Sequence, residues 1–259
     1  MNRIVCTETV LPLRAEPDHR SEMVSQLLFG EQAEILKSEK EWLQVRCLYD
    51  KYIGWIWNRQ GRTIDEAEGQ KLDQALRATV SDLIGEAYSS RRRVTLCAGA
   101  TLPFYDKTHQ TFRVGDEEFV TETTATPAGG RSYPERIVWY ALKFAGCPYL
   151  WGGRTPFGID CSGLTQVVMK MAALYLPRDA WQQANEGVLV PFLQQARPGD
   201  LAFFSNDEGR IVHTGILLPR QKIIHASGSV RIDPIDHFGI FNRQSGRYSH
   251  KLRLIRRLI

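Results

Sequence analysis

The stretch "PYLWGGRTPFGIDCSGLTQVVMKMAALY", Pro148 to Tyr175, decides how this chain is read. A glycine-rich turn runs into Asp160-Cys161-Ser162-Gly163, and an apolar helical pattern starts immediately after it. Leu164, Val167, Val168, Met171, Ala172 and Tyr175 fall at i, i+3, i+4, i+7, i+8 and i+11, the spacing of a helix with one apolar face. Cys161 therefore stands at the first turn of that helix, where unpaired N–H groups and the macrodipole favour an anion. A thiolate so placed has a lowered pKa, which a cysteine nucleophile needs near neutral pH. Gly152, Gly153, Gly158 and Gly163 allow close backbone approach around it. A buried core cysteine and a metal ligand are the other readings of a lone thiol.

Upstream of this stretch, Ser132-Tyr133-Pro134-Glu135 reads as a capping box with proline in the first turn. It opens a helix with Ile137, Ala141, Phe144 and Ala145 on one face and Gly146 at its end. Downstream, "DLAFFS", "IVHTGILL", "KIIHAS" and "SHKLRLIRRL" read as strands. Helices followed by an antiparallel sheet predict an α+β domain over residues 132–259.

A nucleophilic thiol needs a base, and the chain has six histidines. His19 and His109 lie in turn-like contexts, and His237 and His250 in irregular or terminal stretches. His213 and His225 differ, because each is embedded in a strand where apolar residues are expected. A hairpin loop centred on Pro219 directly opposes these two histidines and puts both imidazoles on one face. A two-residue loop would put them on opposite faces. One imidazole then takes the thiol proton while the other orients its ring. Zinc held by one cysteine and two histidines is the alternative, but no ligands cluster at short spacing and no fourth is evident. No metal and no cofactor is expected.

Residues 1–65 read as short strands between turns ("AEILKS", "EWLQVRCL", "YIGWIW") and predict a small barrel. Trp42, Tyr52, Trp55 and Trp57 supply its aromatic group. The segment "EAEGQKLDQALRATV" is a short helical lead-in to a second β-rich region, 66–126. A Thr-, Pro- and Gly-rich stretch ends in a linker at 127–131. A chain of 259 residues accommodates these three domains. Its 43% hydrophobic and 24% charged content is that of a soluble globular protein. The net charge of +4 is spread out, and Arg91-Arg92-Arg93 and Arg256-Arg257 read as solvated surface, so no nucleic-acid partner is expected. No phosphate-binding glycine loop is present. No apolar run has the length of a signal-peptide core or a membrane span, which predicts a cytoplasmic protein without a membrane partner. Five cysteines, an odd count without CxxC, argue against a disulfide framework. No sequence feature specifies an oligomeric state.

With these residues in hand, the third segment resembles the NlpC-type cell-wall peptidases, a bacterial branch of the papain-like cysteine peptidases. The resemblance covers about residues 132–259 and rests on "PYLWGG", "GIDCSGL", "LPRDAWQQA", "RPGDLAFF", "VHTGI" and "IIHAS", in that order. It implies that Cys161 is the nucleophile, His213 the general base and His225 the polar third residue. Tyr149 matches the family tyrosine near the oxyanion site, a place for a donor to the tetrahedral intermediate. The N-terminal half resembles two bacterial SH3-like domains through "SEMVSQLLFGE" and "DKYIGWI". Two such barrels before this peptidase resemble the γ-D-glutamyl-L-diamino acid endopeptidases.

That resemblance implies hydrolysis of the D-Glu–diamino acid bond in murein tripeptides or tetrapeptides with a free N-terminal L-Ala. It also implies that the first SH3-like domain walls the cleft. An ammonium in a closed pocket needs carboxylate partners, and Asp179 and Glu22 match the positions that supply them. Tyr52 matches an aromatic of the same pocket, and Asp160 and Ser162 match substrate-contacting positions. Asp200, in "PGDL", reads as a turn residue. Amidases and acyltransferases share the Cys–His core, and a catalytically inactive wall-peptide-binding protein would lack one member of the triad. The two extra domains favour the endopeptidase.

Overall fold

Short alternating apolar and polar runs, broken by turns every few residues, make the N-terminal half almost entirely antiparallel β. The computed structural model describes residues 2–127 and 133–259. The chain divides into two compact units, Met1–Gly130 with Trp151–Pro156, and Arg131–Leu150 with Phe157–Ile259.

In the first unit, strands β1 (Arg3–Val5), β2 (Val10–Arg14), β3 (Met23–Leu28), β4 (Gln32–Glu39), β5 (Trp42–Cys47), β6 (Ile53–Trp57) and β7 (Arg62–Ile64) form one sheet. Their order is β3-β2-β6-β5-β4-β1-β7, and the sheet encloses Ile4, Leu11, Leu13, Leu27, Val45 and Ile56. Helix α1 (Glu66–Gln74) is capped by Asp65, whose carboxylate accepts the Glu68 amide at 2.8 Å. Strands β8 (Arg77–Val80), β9 (Ile84–Tyr88), β10 (Arg93–Cys97), β11 (Thr101–Pro103), β12 (Thr111–Val114), β13 (Glu117–Thr121) and β14 (Ala125–Pro127) follow. They make two further small sheets, β10-β9-β13-β12 and β11-β8-β14. Their core of Val80, Leu96, Leu102, Phe112 and Phe119 also takes in Val5 and Ile64 from the first sheet and Phe29 from the turn after β3. The two β modules thus share apolar burial.

The first residue of the expected 127–131 linker, Pro127, ends β14, paired with Ala78. The rest of that linker and Ser132 of the expected capping box lie outside the described residues. Trp151–Pro156 groups with the N-terminal unit although the sequence reading placed it in the third domain. The physical reason is Arg154, 1% exposed, whose guanidinium lies 2.8 and 3.0 Å from the Glu31 carboxylate. A guanidinium taken out of water must be paired, and the acid that pairs it lies in the turn between β3 and β4 of the N-terminal unit.

In the second unit, helix α2 (Pro134–Lys143) starts at its proline and buries Ile137, Tyr140 and Ala141. It stops before Ala145, which is exposed instead of on the expected inner face. Short strands β15 (Arg154–Thr155), in the first unit, and β16 (Gly158–Ile159) precede helix α3 (Cys161–Met171). Helix α4 (Ala180–Gln183) precedes strands β17 (Val188–Val190), β18 (Leu201–Ser205), β19 (Ile211–Leu218), β20 (Lys222–Ser227), β21 (Ser229–Pro234), β22 (Gly239–Asn242) and β23 (Arg247–Arg257). The sheet order is β17-β23-β18-β19-β20-β21, with β22 on β23.

All eleven residues of α3 are buried, where a one-faced amphipathic helix was expected. The helix lies among α2, α4, β19 and β20, so even its polar positions are covered. The Thr165 hydroxyl and the Gln166 amide nitrogen find partners inside the fold. The Thr165 hydroxyl donates to Gln183 Oε1 at 2.6 Å, and the Gln166 amide donates to the Leu176 carbonyl at 3.2 Å. Ala173, in the left-handed region at φ 61°, follows the helix end, so Tyr175 falls outside the helix and is 48% exposed. Among the described residues no helix is long and apolar enough to cross a membrane.

Candidate active site

Cys161 is the first residue of α3, and its position follows from the cap. Asp160, the residue before the thiol, accepts the Gly163 amide at 2.7 Å, a cap that starts the helix at Cys161. The same carboxylate holds Arg178 through two hydrogen bonds, 3.0 and 2.5 Å long. Arg178 also donates to Ser162 Oγ at 2.7 Å. Asp160, Ser162 and Arg178 are all buried and together clamp both neighbours of Cys161. The Gln183 side-chain amide completes the clamp, donating to the Ser162 and Pro177 carbonyls at 3.0 and 2.8 Å.

The imidazoles lie on adjacent strands, followed by a carboxylate on the next. Leu218 pairs with Lys222 and Ile216 with Ile224, so the β19–β20 loop is centred on Arg220 and not on Pro219. The two histidines are therefore not directly opposed as expected. The register moves by two residues, which preserves the face because side chains alternate with period two. The imidazoles meet diagonally, with His213 Nε2 2.9 Å from His225 Nδ1. Gly215 makes room for this contact, since a Cβ there would meet His225 Cβ at 2.9 Å and the Ile224 carbonyl at 2.8 Å. On the next strand Ile223 pairs with Asp233, again diagonal to His225, and His225 Nε2 lies 3.0 Å from Asp233 Oδ2. Arg231 binds the same carboxylate at 2.6 and 3.0 Å.

This chain fixes the tautomers. Burial opposes the charge on Asp233, but hydrogen bonds from Arg231 and His225 outweigh it and hold the carboxyl below its usual range. An ionised Asp233 only accepts, so His225 carries its proton on Nε2. His225 Nδ1 then accepts from His213 Nε2–H, and the bare nitrogen of His213 is Nδ1. The Thr214 amide, next to His213 on β19, hydrogen-bonds the Cys161 sulfur, which ties the thiol to this strand.

Electrostatics at the thiol depart from the expected preformed thiolate. Burial first, and then the Asp160 charge, pushes Cys161 up to about 12, against the Thr214 amide, Arg178 and the Ser162 amide. His213 is held well below the usual imidazole value of 6.5, mainly by burial and then by His250 and His225. Both groups therefore rest neutral, the thiol at the start of α3 and the imidazole on β19. Tyr149, half-buried, is pushed up to about 12, mainly by burial and also by the Asp160 charge, which keeps its hydroxyl a donor at neutral pH.

Two further groups were not reached from sequence. Asp233 is one. The other is His250, expected in an irregular terminal stretch but found on β23, stacked on His213 with ring centroids 4.0 Å apart and planes at 23°. Its signal was the alternation of His250, Leu252 and Leu254 with exposed Lys251 and Arg253. Burial, then His225, lowers its pKa to about 4. The Asp179 amide donates to Gln182 Oε1 at 3.0 Å at the start of α4, directly after Arg178. Asp200 accepts the Arg197 amide at 2.7 Å, as a turn residue does, and pairs with Arg257. Glu22 and Tyr52 belong to the N-terminal unit, where Glu22 accepts the Trp151 indole N–H and Tyr52 packs on the first sheet's core.

The three imidazoles set a pH dependence. All are held neutral in the fold below the value of 6.5 at which an unfolded imidazole protonates. The unfolded state then binds more protons, so stability is complete above about pH 6.5 and declines as pH falls toward 4. Each proton is worth about 1.4 kcal/mol per pH unit. Tm is expected to fall between about pH 7 and pH 4.5, more steeply than in His250→Phe. A Tm that is flat across this window would contradict the burial of the cluster.

The residues matched by known families fit this layout. Residues 146–248 match the NlpC/P60 family, and residues 13–60 match the bacterial dipeptidyl-peptidase Sh3 domain. The chain is 31% identical over 215 residues to the gamma-D-glutamyl-L-lysine dipeptidyl-peptidase of Bacillus subtilis (strain 168), covering 78% of this chain and 71% of that one. It is 27% identical to dipeptidyl-peptidase 6 of Lysinibacillus sphaericus, across 91% and 92% of the two chains. The crystal structure of an NlpC/P60 family protein from Bacillus cereus ATCC 10987 has the same fold, with a TM-score of 0.86, 19% identity and coverage of 100% of this chain and 99% of that one. A capped thiol at a helix start, a strand-borne imidazole pair and these matches lead to one assignment: the chain belongs to the NlpC/P60 family of cysteine peptidases and carries an SH3-like domain on its N-terminal side.

Proposed function

We propose that this protein hydrolyses the γ-D-Glu–diamino acid bond of short murein peptides that carry a free N-terminal L-Ala, and releases L-Ala-D-Glu. The observation that carries the chemistry is the hydrogen-bonded series His213–His225–Asp233, which leaves His213 Nδ1 bare on the strand tied to the Cys161 sulfur. The name of the Bacillus subtilis relative, a gamma-D-glutamyl-L-lysine dipeptidyl-peptidase, supports the bond and the dipeptide product.

In this reading His213 Nδ1 takes the Cys161 proton as sulfur attacks the γ-carbonyl carbon of D-Glu, because neither group is charged beforehand. The imidazolium so formed is stabilised through His225 by Asp233. The Tyr149 hydroxyl donates to the developing oxyanion. Collapse breaks the C–N bond, and His213 passes its proton to the leaving amine of the diamino acid. Water then attacks the thioester, giving its proton to His213, and the thiol is restored. Asp160 and Ser162 act on the substrate through the clamp they build with Arg178, and Asp179 is the peptidase unit's carboxylate for the substrate ammonium. The β8–β14 module is a second SH3-like domain in the same reading.

The test is mass spectrometry of the protein incubated with L-Ala-γ-D-Glu-meso-diaminopimelate and, separately, its N-acetylated form. Release of L-Ala-D-Glu from the free peptide only is expected, and Asp179→Ala should narrow the difference between the two substrates. Cleavage of both peptides alike would remove the amine requirement. Turnover to an amide-exchanged product in place of hydrolysis would make the enzyme an acyltransferase.

A further inference from the structure

One ring nitrogen from each of His213, His225 and His250 lies within 4.8 Å of the other two, on three different strands. We propose that these three imidazoles form an inhibitory site for a zinc-class divalent cation. Imidazole ligands select Zn²⁺, Cu²⁺, Ni²⁺ and Co²⁺ over Mg²⁺ and Ca²⁺. Among the described residues this is the group of three or more potential ligands close enough to hold an ion.

The tautomers favour the binding. His225 donates Nε2–H to Asp233 at 3.0 Å, which leaves Nδ1 as a lone pair backed by a carboxylate, the usual outer-shell arrangement of a metal-bound histidine. His250 Nδ1 has its own partner in Ser249 Oγ at 2.9 Å, so its Nε2 is the nitrogen left for a ligand. Zinc–nitrogen bonds of about 2.0–2.1 Å in a tetrahedron set ligand nitrogens roughly 3.3 Å apart. The His213–His225 pair, now 2.9 Å apart, must open slightly, and the wider pairs must close by ring rotation. His250, the least buried of the three, leaves a side for water as the fourth ligand.

Binding changes His213 in one specific way. Its Nε2 must give up the proton it now shares with His225 and offer a lone pair to the metal. That proton passes to Nδ1, so no net proton is released and no group changes oxidation state. Nδ1, the bare nitrogen of the resting His213, is then protonated and no longer accepts a proton. The metal thus inhibits by trapping the wrong tautomer and not by capping the sulfur. The inhibition rests on the peptidase reading given above, but the binding does not.

The experiment titrates Co²⁺ into the chelator-treated full-length protein, follows its d–d absorbance, and displaces it with Zn²⁺. One Co²⁺ per chain without a thiolate charge-transfer band is expected. Cys161→Ser should bind as the parent does. Asp233→Asn should weaken binding roughly 10–100-fold as an outer-shell loss, and His250→Phe, a ligand loss that keeps the ring stack, should weaken it further. Peptide turnover, measured against each protein's own metal-free rate, should fall with occupancy and return on adding chelator. A charge-transfer band with binding lost in Cys161→Ser and kept in His250→Phe would overturn the proposal, as would no binding at all. Normal metal binding without any peptidase activity would sink the peptidase reading and leave the site standing.

Discussion

Cys161→Ala is expected to lower kcat on L-Ala-γ-D-Glu-meso-diaminopimelate by about 10⁶-fold, because the thioester has no other atom on which to form. In the proposed mechanism what remains, Tyr149 and the binding groups, stabilises charge only once a nucleophile has attacked. The thiol is 9% exposed and the α3 cap is made by Asp160, so the fold survives its removal and Tm should stay within a few degrees. Single-turnover release of L-Ala-D-Glu is the measurement. A variant that keeps a rate within about 100-fold of the parent would place the nucleophile elsewhere.

The second large effect belongs to His225. His225→Phe removes the acceptor for His213 Nε2–H, so His213 samples both tautomers and its imidazolium loses the support of Asp233. A loss of about 10³–10⁴-fold in kcat is expected, the scale found when the orienting member of a triad is removed. A merely structural role predicts that any well-tolerated side chain would serve equally. The tautomer argument predicts instead that His225→Gln, whose side-chain oxygen accepts, recovers at least about tenfold over His225→Phe at similar Tm. Equal activities in the two variants would show that orientation is not what His225 provides.

These effects bear on how the site is encoded. Cys161 was legible because its signals are local. Asp160 as cap, the glycine-rich approach and the apolar run all lie within a few turns of chain, where propensity and capping chemistry act. The helix that follows was legible as a helix but not as a wholly buried one, because the covering of Thr165 and Gln166 comes from Gln183 and Leu176 on later segments. His213 and His225 were recognised as strand histidines with a shared face, and that parity survived although the loop centre moved from Pro219 to Arg220. Same-face placement depends only on whether the shift is odd or even.

Asp233 was illegible for a different reason. Period-two alternation from Val230 places Ile232 inside, yet Ile232 is 40% exposed while Asp233 is 5% exposed. Its burial makes sense only when His225 and Arg231 are both beside it, since an unpaired carboxylate would not stay there. Arg178 and Arg154 are buried only because Asp160 and Glu31, distant in the chain, are brought to them.

The sequence by itself determined the helix that Cys161 opens, the strand identity of His213 and the face it shares with His225, because each follows from short-range periodicity and capping. Only the tertiary structure decided the diagonal register, the carboxylate at the end of the imidazole series, the stacked His250 and the segment that joined Trp151–Pro156 to the N-terminal unit. Those features pair groups far apart in the chain, and what selects them is the cost of leaving a buried charge or imidazole without its partner.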